Sequence, residues 1–271
     1  ASLPYKQQGI AARATYAYDD RYMFEVNAGY NGSENFSPKN RFGFFPSAGL
    51  GWVASNESFW GGQFADVFSF FKLRYTIGLV GSDTVAGRRF MYQDQMGSQN
   101  GYTFGTQGVG GWGISKYGAD VSWSTSLKHN LGLDMKFFKD NLSVTVELFK
   151  EHRTGIFLSR KTIPDYSGFV EMPYANLGIV DNQGIDIQAE YNARLGRKTF
   201  LTLRGNLTYN EDTIVEDDEP AKPYAWLETR GTNVNARWGW IAEGLFTSEE
   251  EVMNHAKQFG ELYPGQVSKV G

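Results

Sequence analysis

Apolar and polar residues alternate with a period of two along several stretches of this chain. In residues 22–30 the even positions are apolar, whereas the odd positions are mixed or polar and include Glu25. Successive side chains of a β-strand point to opposite faces, so this pattern predicts strands whose two faces meet different solvents. The clearest example is residues 185–194, where Asp186 and Glu190 stand between isoleucine, alanine and tyrosine residues. Such an uncharged face fits either lipid or a protein core.

The same alternation predicts an all-β, antiparallel fold of about eight strands. These strands span residues 9–18, 21–30, 43–54, 69–80, 121–137, 141–153, 182–194 and 199–210. The connections alternate in length, with tight turns at residues 19–20, 139–141 and 195–198 and long stretches at residues 31–42, 81–120, 152–181 and after 210. Transmembrane β-barrels have short periplasmic turns and long outer loops, whereas a soluble sandwich has no reason to sort its loops in this way. The connection at residues 55–68 falls on the side of the tight turns, and its length fits that side least well.

A transmembrane barrel turns its apolar face to lipid and its charged face to a wet lumen. Six charged residues of the predicted strands fall on the polar side: Arg13, Glu25, Arg74, Asp186, Glu190 and Arg204. We expect them to pair with one another or with a plug and to line the path of a substrate, or simply to be solvated in the lumen. Lipid-facing Arg or Lys at the midplane would cost about 2–4 kcal/mol, and the alternation places none there.

Composition narrows the class of protein. The chain has 271 residues, no cysteine and a formal net charge of -4. The absence of a concentrated basic patch argues against nucleic acid as a partner. No apolar run approaches the roughly 20 residues of a membrane helix, which excludes a helical membrane protein. A barrel passes this test, because only alternate residues of its strands contact lipid.

Motifs for catalysis, cofactors or metals are sparse. A G-x-G-x-x-G match begins at Gly108, but it lies in a glycine-rich loop without a buried strand before it or a helix after it. His129, His152 and His255 are scattered without metal-ligand spacing. No nucleophile elbow or other catalytic constellation is present. We therefore expect no enzyme activity, no cofactor, no catalytic residue and no metal site.

Aromatic residues in the long loops are the candidate substrate contacts, because exposed rings can stack on a ligand. They are Phe104, Trp112, Tyr117, Tyr166, Tyr174, Tyr224 and Trp226. The same rings can also seat a partner protein. The acidic residues 216–219 lack the ligand spacing of a calcium-binding loop, and we expect a solvated charge run. A capping-box pattern at Ser248 predicts a short amphipathic helix over residues 249–259, with Val252, Ala256 and Phe259 on its buried face.

Several blocks resemble SusC/RagA-type TonB-dependent transporters of Bacteroidetes in both order and spacing. The blocks are residues 30–36 (YNGSENF), 41–52 (RFGFFPSAGLGW), 57–59 (ESF), 71–78 (FKLRYTIG), 176–178 (NLG), 182–186 (NQGID) and 243–251 (EGLFTSEEE). The second block is the most specific. The resemblance implies an importer of oligosaccharides or peptides in the bacterial outer membrane. It also implies energy supplied through the TonB complex and a SusD-like surface lipoprotein as partner.

The chain departs from this family by having no recognisable plug domain and too few strands, since plugged transporters use about 22. An open sheet of eight strands would leave two unpaired edges, which hydrocarbon does not tolerate. We therefore expect residues 1–271 to form a single partial barrel domain that is completed by other polypeptide. Two alternatives remain at this point: a soluble or surface-displayed β-rich carbohydrate-binding module, and a small closed barrel with a structural role.

Overall fold

The computed structural model describes residues 4–85, 89–242 and 244–256. Within these ranges it contains ten strands and two short α-helices. The strands are β1 (Gln7–Tyr18), β2 (Tyr22–Ser33), β3 (Phe42–Val53), β4 (Phe68–Ser82), β5 (Gln95–Phe104), β6 (Gln107–Lys116), β7 (Ser124–Phe137), β8 (Leu142–Ser159), β9 (Tyr174–Arg194) and β10 (Phe200–Glu216). The helices are α1 (Gln63–Val67) and α2 (Glu249–Asn254). Neither helix is long and apolar enough to cross a membrane.

Eight of the strands form one antiparallel sheet in the order β1-β2-β3-β4-β7-β8-β9-β10, while β5 and β6 form a separate hairpin. Each strand of the sheet pairs with its neighbour along the chain, apart from the excursion into the hairpin. In the described residues β1 pairs only with β2, and β10 only with β9. The sheet is therefore a partial barrel, as expected, and the alternative of a small closed barrel is wrong.

The strand register aligns apolar side chains into rows across one face of the sheet, which we call the apolar face. One row consists of Tyr16, Phe24, Leu50, Tyr75, Leu131, Leu148, Ile185 and Tyr209. Phe24 is 46% exposed and Leu50 is 58% exposed. Because the face is not sealed by a second layer in the part of the chain that the structure describes, the soluble sandwich interpretation fails.

The apolar face carries charged residues on the side of the long loops. The row that contains Val26 and Ile77 continues through His129 to Lys150 and Glu211. Charged side chains on this face at the loop side indicate that the apolar band ends there, because a charge at membrane depth is costly.

The cluster of buried apolar residues lies in the outer loops, because a single sheet has no interior of its own. Its members, which we call the loop core, are Phe36, Val85, Met91, Ala119 and Val121. They belong to the β2–β3 connection and to the long excursion between β4 and β7. Trp123, Phe157 and Tyr174 pack against them from the strand ends.

The pairing of β3 with β4 ends within the residue block 41–52. β3 pairs with β4 only between Ser47 and Val53, and Pro46, which has no N–H to donate, stands where this pairing ends. Above that point the ring of Phe45 packs edge-on against Trp123, with 5.1 Å between ring centroids. A Cβ atom at Gly81 would overlap the Phe45 ring, so a larger residue there would displace this ring.

Two predictions for segments outside the wall are wrong. The stretch 81–120 is not all loop, since it contains the β5–β6 hairpin. Its strands are rich in glycine, which has low β-propensity, and this hid them. The predicted helix 249–259 ends at Asn254, because His255 is already extended, with ψ 153°. The Ser248 cap is confirmed, since Ser248 Oγ accepts from the Glu251 N–H at 3.2 Å.

The residues of this shorter helix do not all have the predicted burial. Val252 is half-buried, but Ala256 is exposed and lies beyond the helix. Phe259 lies outside the described residues. Helix α2 belongs to a second unit that begins at Asn235. A single domain over residues 1–271 stays a prediction.

Candidate functional site

The outer loops carry a polar network beside the loop core, centred on Asp83 at the end of β4. The Asp83 carboxylate accepts hydrogen bonds from Ser33 Oγ at 2.6 Å, from Gln7 Nε2 at 2.7 Å and from the Tyr5 hydroxyl. Burial alone raises the pKa of Asp83, but these three hydrogen bonds outweigh it and hold the pKa below its ordinary value. Asn35 Nδ2 donates to the Asp83 carbonyl at 3.1 Å, which ties the β2–β3 connection to the same point.

A second set of bonds joins the β2–β3 connection to the segment before β7. Lys39 Nζ lies 2.5 Å from Asp120 Oδ2, and Asn40 Nδ2 donates to the Val121 carbonyl at 3.3 Å. Trp123 Nε1 donates to the Arg41 carbonyl at 3.2 Å. Together with the loop core, these contacts make the two outer loops one structural unit above the wall.

The acidic run Glu216–Glu219, which we call the acidic clamp, joins two further outer loops. Asp218 Oδ2 accepts from Arg160 Nε at 3.0 Å and from the Lys161 N–H at 2.8 Å. Asp218 Oδ1 accepts from Thr162 Oγ1 at 3.0 Å. The Asp218 side chain is only 10% exposed, so the expectation of a solvated charge run is wrong at this position.

The other members of the acidic clamp bind the loop that follows β10. Glu219 is 8% exposed and accepts from the Thr229 N–H at 2.7 Å. Asp217 Oδ2 accepts from Thr229 Oγ1 and from Lys161 Nζ, each at 2.7 Å. Burial alone raises the pKa of Glu219, but the Thr229 and Lys222 hydrogen bonds lower it below its ordinary value. Among the described residues no cluster of His, Asp or Glu has the arrangement of a metal site.

The predicted aromatic contacts lie in different environments. Phe104 and Trp112 stand on the β5–β6 hairpin and are 68% and 79% exposed, and Tyr166 is 91% exposed. The ring of Tyr117 packs edge-on against Phe169, with 4.9 Å between centroids.

Three of the predicted contacts belong to stacked ring pairs, which differ in how much ring surface they leave accessible. Tyr174 stacks on Phe157 at 4.8 Å beside the loop core, so its ring serves packing. Tyr224 and Trp226 stack at 4.6 Å with their planes only 9° apart, yet they are 54% and 70% exposed. This ring pair therefore leaves aromatic surface open at one place.

The face opposite the apolar face carries the predicted charges, and four of these six residues form two ion pairs. Arg13 Nη2 lies 2.6 Å from Glu25 Oε2, and Arg204 Nε lies 2.8 Å from Glu190 Oε2. Asp186 lies on the strand beside Arg204 and lines, together with it, a cavity of about 580 Å³ on this polar face.

Arg74 bonds to carboxylates on two other strands of the polar face. Its Nε lies 3.0 Å from Asp134 Oδ2, and its Nη2 bonds to Glu147 two strands away. The register places Arg74, Gly132 and Glu147 in one row, so the arginine crosses β7 over Gly132. A Cβ atom at Gly132 would lie 2.7 Å from Arg74 Cζ, and only glycine leaves this path open.

The sequence interpretation missed both acidic partners of Arg74. Asp134 and Glu147 have the correct parity in predicted strands 121–137 and 141–153, so the alternation puts them on the polar face. Asp134 and Glu147 lie 60 and 73 residues from Arg74 in the sequence. Their pairing with Arg74 depends on the strand register, which the alternation alone does not give.

Replacing Gly132 by valine is expected to expel the Arg74 guanidinium from its two carboxylates. The intact receptor should lose about 1–3 kcal/mol of unfolding free energy, the cost of leaving charged hydrogen-bonding groups unpaired. The denaturation midpoint in detergent measures this loss. Gly205→Val is the matched control, because nothing lies within 4 Å of a Cβ built at Gly205. Equal midpoints for the two variants would contradict this role of Gly132.

Comparison with known proteins identifies the fold. A family model described as TonB dependent receptor-like, beta-barrel, matches residues 2–252. TonB-dependent receptor P39 of Formosa agariphila is 25% identical over 244 residues, which cover 89% of this chain and 22% of the relative. TonB-dependent receptor SusC of Bacteroides thetaiotaomicron is 26% identical over 207 residues, which cover 75% of this chain and 20% of the relative.

Solved structures agree with the family match. The RagAB peptide importer in its closed-closed state superposes with a TM-score of 0.71 at 21% identity, covering 84% of this chain and 25% of that one. The chain thus spans about a fifth to a quarter of the proteins that it matches. A partial barrel of this size has two end strands, and in the described sheet these are β1 and β10. The chain belongs to the TonB-dependent receptor family, as part of the wall of a barrel in the bacterial outer membrane.

Proposed function

We propose that this chain forms part of the wall and outer loops of a TonB-dependent importer that takes up oligosaccharides or peptides. The observation that carries the proposal is the division of one open sheet into an apolar face, uncharged up to its loop side, and an ion-paired polar face. In an outer-membrane barrel the first face contacts lipid and the second lines a wet lumen. The proposal applies to the complete polypeptide, since the open edges of this sheet need further strands.

In this function the outer loops capture the ligand and the polar face borders its path. A plug from another part of the polypeptide closes the lumen, and the TonB complex moves it. A SusD-like surface lipoprotein covers the outer loops. The acidic clamp and the loop core support this role, because they hold the outer loops in a fixed arrangement that can present a binding surface.

Uptake by cells that express the intact transporter tests the function directly. Labelled oligosaccharides and labelled peptides are offered separately, with and without a working TonB protein. We expect one class to accumulate, and only when TonB is present. Accumulation of neither class, or equal accumulation without TonB, would contradict the proposal. Purification of the transporter from its native membrane, followed by identification of co-purifying lipoproteins, tests the proposed partner.

The open ring pair is the ligand contact that we propose first. Tyr224 and Trp226 are stacked already, so little conformational entropy is lost when a flat apolar ligand surface packs on them. Sugar rings and peptide side chains both offer such surfaces. Phe104, Trp112, Tyr117 and Tyr166 are proposed as further contacts in the same outer layer, and Tyr174 as a support for it.

Replacing Trp226 by alanine is expected to weaken ligand binding to the intact transporter by about 1–2 kcal/mol, the usual cost of truncating an interface anchor. This corresponds to a dissociation constant roughly five to thirty times higher. Isothermal calorimetry with the imported ligand measures it. Leu227→Ala is the control, since Leu227 is the next residue, is 45% exposed and is not aromatic. Unchanged affinity in the Trp226 variant would remove the ring pair from the binding surface.

A further inference from the structure

The connection between β3 and β4, residues 54–67, is much longer than its side of the barrel requires. The other connections on that side, residues 19–21, 138–141 and 195–199, have three, four and five residues, whereas this one has fourteen. Two residues are enough to join antiparallel neighbours. The additional residues include helix α1 and form what we call the β3–β4 segment.

The β3–β4 segment folds back over the apolar face. The Trp60 ring stacks on Phe71 at 6.0 Å and 16°, and it lies 5.0 Å from the ring of Phe68. Phe68 in turn stacks on Phe137 at 4.7 Å. Phe71 has the same parity as Leu73 in β4 and therefore projects from the apolar face. The rings of the segment thus continue the lipid-facing surface of the barrel.

Apolar side chains of the β3–β4 segment remain open beyond these contacts. Phe59 is 69%, Phe64 57% and Val67 52% exposed. The Trp60 indole N–H donates to the Phe68 carbonyl at 3.0 Å, so its one polar atom is satisfied within the protein and its ring is suited to an apolar environment.

Polar groups of the β3–β4 segment bond to the neighbouring short turns. Glu57 accepts from Arg21 Nη1 at 3.0 Å and from the Tyr22 hydroxyl at 2.7 Å. Asp66 Oδ1 lies 3.6 Å from Lys139 Nζ. The segment is therefore amphipathic, with charged groups toward the turns and exposed rings beside the apolar face. This is the composition of a segment at the boundary between headgroups and acyl chains.

We propose that the β3–β4 segment is a membrane-interface anchor, whose partner is the lipid of the periplasmic leaflet. Phe59 and Phe64 enter the acyl boundary and Trp60 supports them from the wall, while Glu57 stays paired with Arg21, and Asp66 with Lys139, beside the short turns. A lipid partner follows from continuity, because the exposed rings adjoin the surface of the barrel that already contacts lipid. The anchor would fix the depth of the barrel wall at β3 and β4.

Site-directed spin labelling of the intact transporter in phospholipid vesicles tests this proposal. The 271 residues contain no cysteine, so single cysteines can be introduced once any others in the polypeptide are replaced. The variants are Phe59→Cys and Phe64→Cys, with Ser58→Cys and Gln63→Cys as exposed polar neighbours. We measure relaxation by oxygen, which concentrates in the bilayer, and by a water-soluble nickel chelate.

We expect labels at the two phenylalanine positions to be several times more accessible to oxygen than to nickel, and labels at the two control positions to show the reverse. Equal nickel accessibility at all four positions would place the segment in the periplasm and overturn the proposal. Protection of the phenylalanine positions from both reagents would indicate a protein partner or a second copy, and would overturn it as well. Neither result depends on transport, so a failed uptake experiment leaves this test intact.

Discussion

Replacing Phe36 by alanine is expected to release the outer loops from the wall. Phe36 is fully buried in the loop core, and its ring lies 5.2 Å from that of Trp123. Truncation of a buried phenylalanine costs about 3–5 kcal/mol, from lost burial and from the cavity left behind. Amide exchange in residues 33–41 and 118–123 should accelerate by about a hundredfold or more, because local opening becomes that much less costly.

Phe104→Ala is the matched control for this experiment. It removes the same atoms from a ring of the same outer layer that is 68% exposed, so exchange in the two segments should hardly change. Exchange that stays slow in the Phe36 variant would mean that the polar contacts of Asp83 and Asp120 hold the loops without the core. Exchange that accelerates through the whole sheet would instead mean that the variant unfolds generally.

The strands of the wall could be predicted from the sequence because lipid and water impose a strict alternation on them. Where the alternation is interrupted, the prediction failed. Strands β8 and β9 extend to Ser159 and to Tyr174, beyond the predicted 153 and 182, across register shifts between Arg153 and Phe157. A bulge there adds an unpaired residue and moves later side chains to the other face, so the period of two is lost.

Contacts between the outer loops could not be predicted, because they join residues that are distant in sequence and have no periodic pattern. Asp218 meets Arg160 across 58 residues, and it does so with a left-handed φ of 56°. Composition alone placed this carboxylate in solvent. The loop aromatics could be recognised in the sequence as candidate contacts, but the sequence does not show how exposed each ring is. Tyr174 and Trp226 are equally plausible from composition and differ only in packing.

Replacing Asp218 by asparagine is expected to open the acidic clamp at pH 7, where the wild type keeps it closed. The variant keeps the shape of the side chain but loses the charge that Arg160 and the Lys161 and Thr162 N–H groups share. Loss of a buried charged acceptor costs about 3 kcal/mol when its donors remain unpaired. Limited proteolysis of residues 160–173 and 217–232 in the intact transporter measures the opening.

The pH dependence follows from the direction of the pKa shift. Burial alone raises the pKa of Asp218, but its hydrogen bonds outweigh it, led by the one from the Lys161 N–H, so the folded pKa lies below the unfolded value of about 3.9. The stabilisation is therefore complete above about pH 4 and is lost as the pH falls through the folded pKa. Wild-type loops should become protease-sensitive in acid, whereas the Asp218→Asn loops should be sensitive already at pH 7.

Asp165→Asn provides the control for this last prediction, because Asp165 lies in the same connection as Arg160 but is exposed. Its loops should match the wild type at pH 7 and open in acid as the wild type does. If the Asp165 and Asp218 variants were cleaved at the same rate at pH 7, the clamp would not depend on the buried charge. The two loops would then be held by the bond from Lys161 Nζ to Asp217 Oδ2, which neither substitution removes.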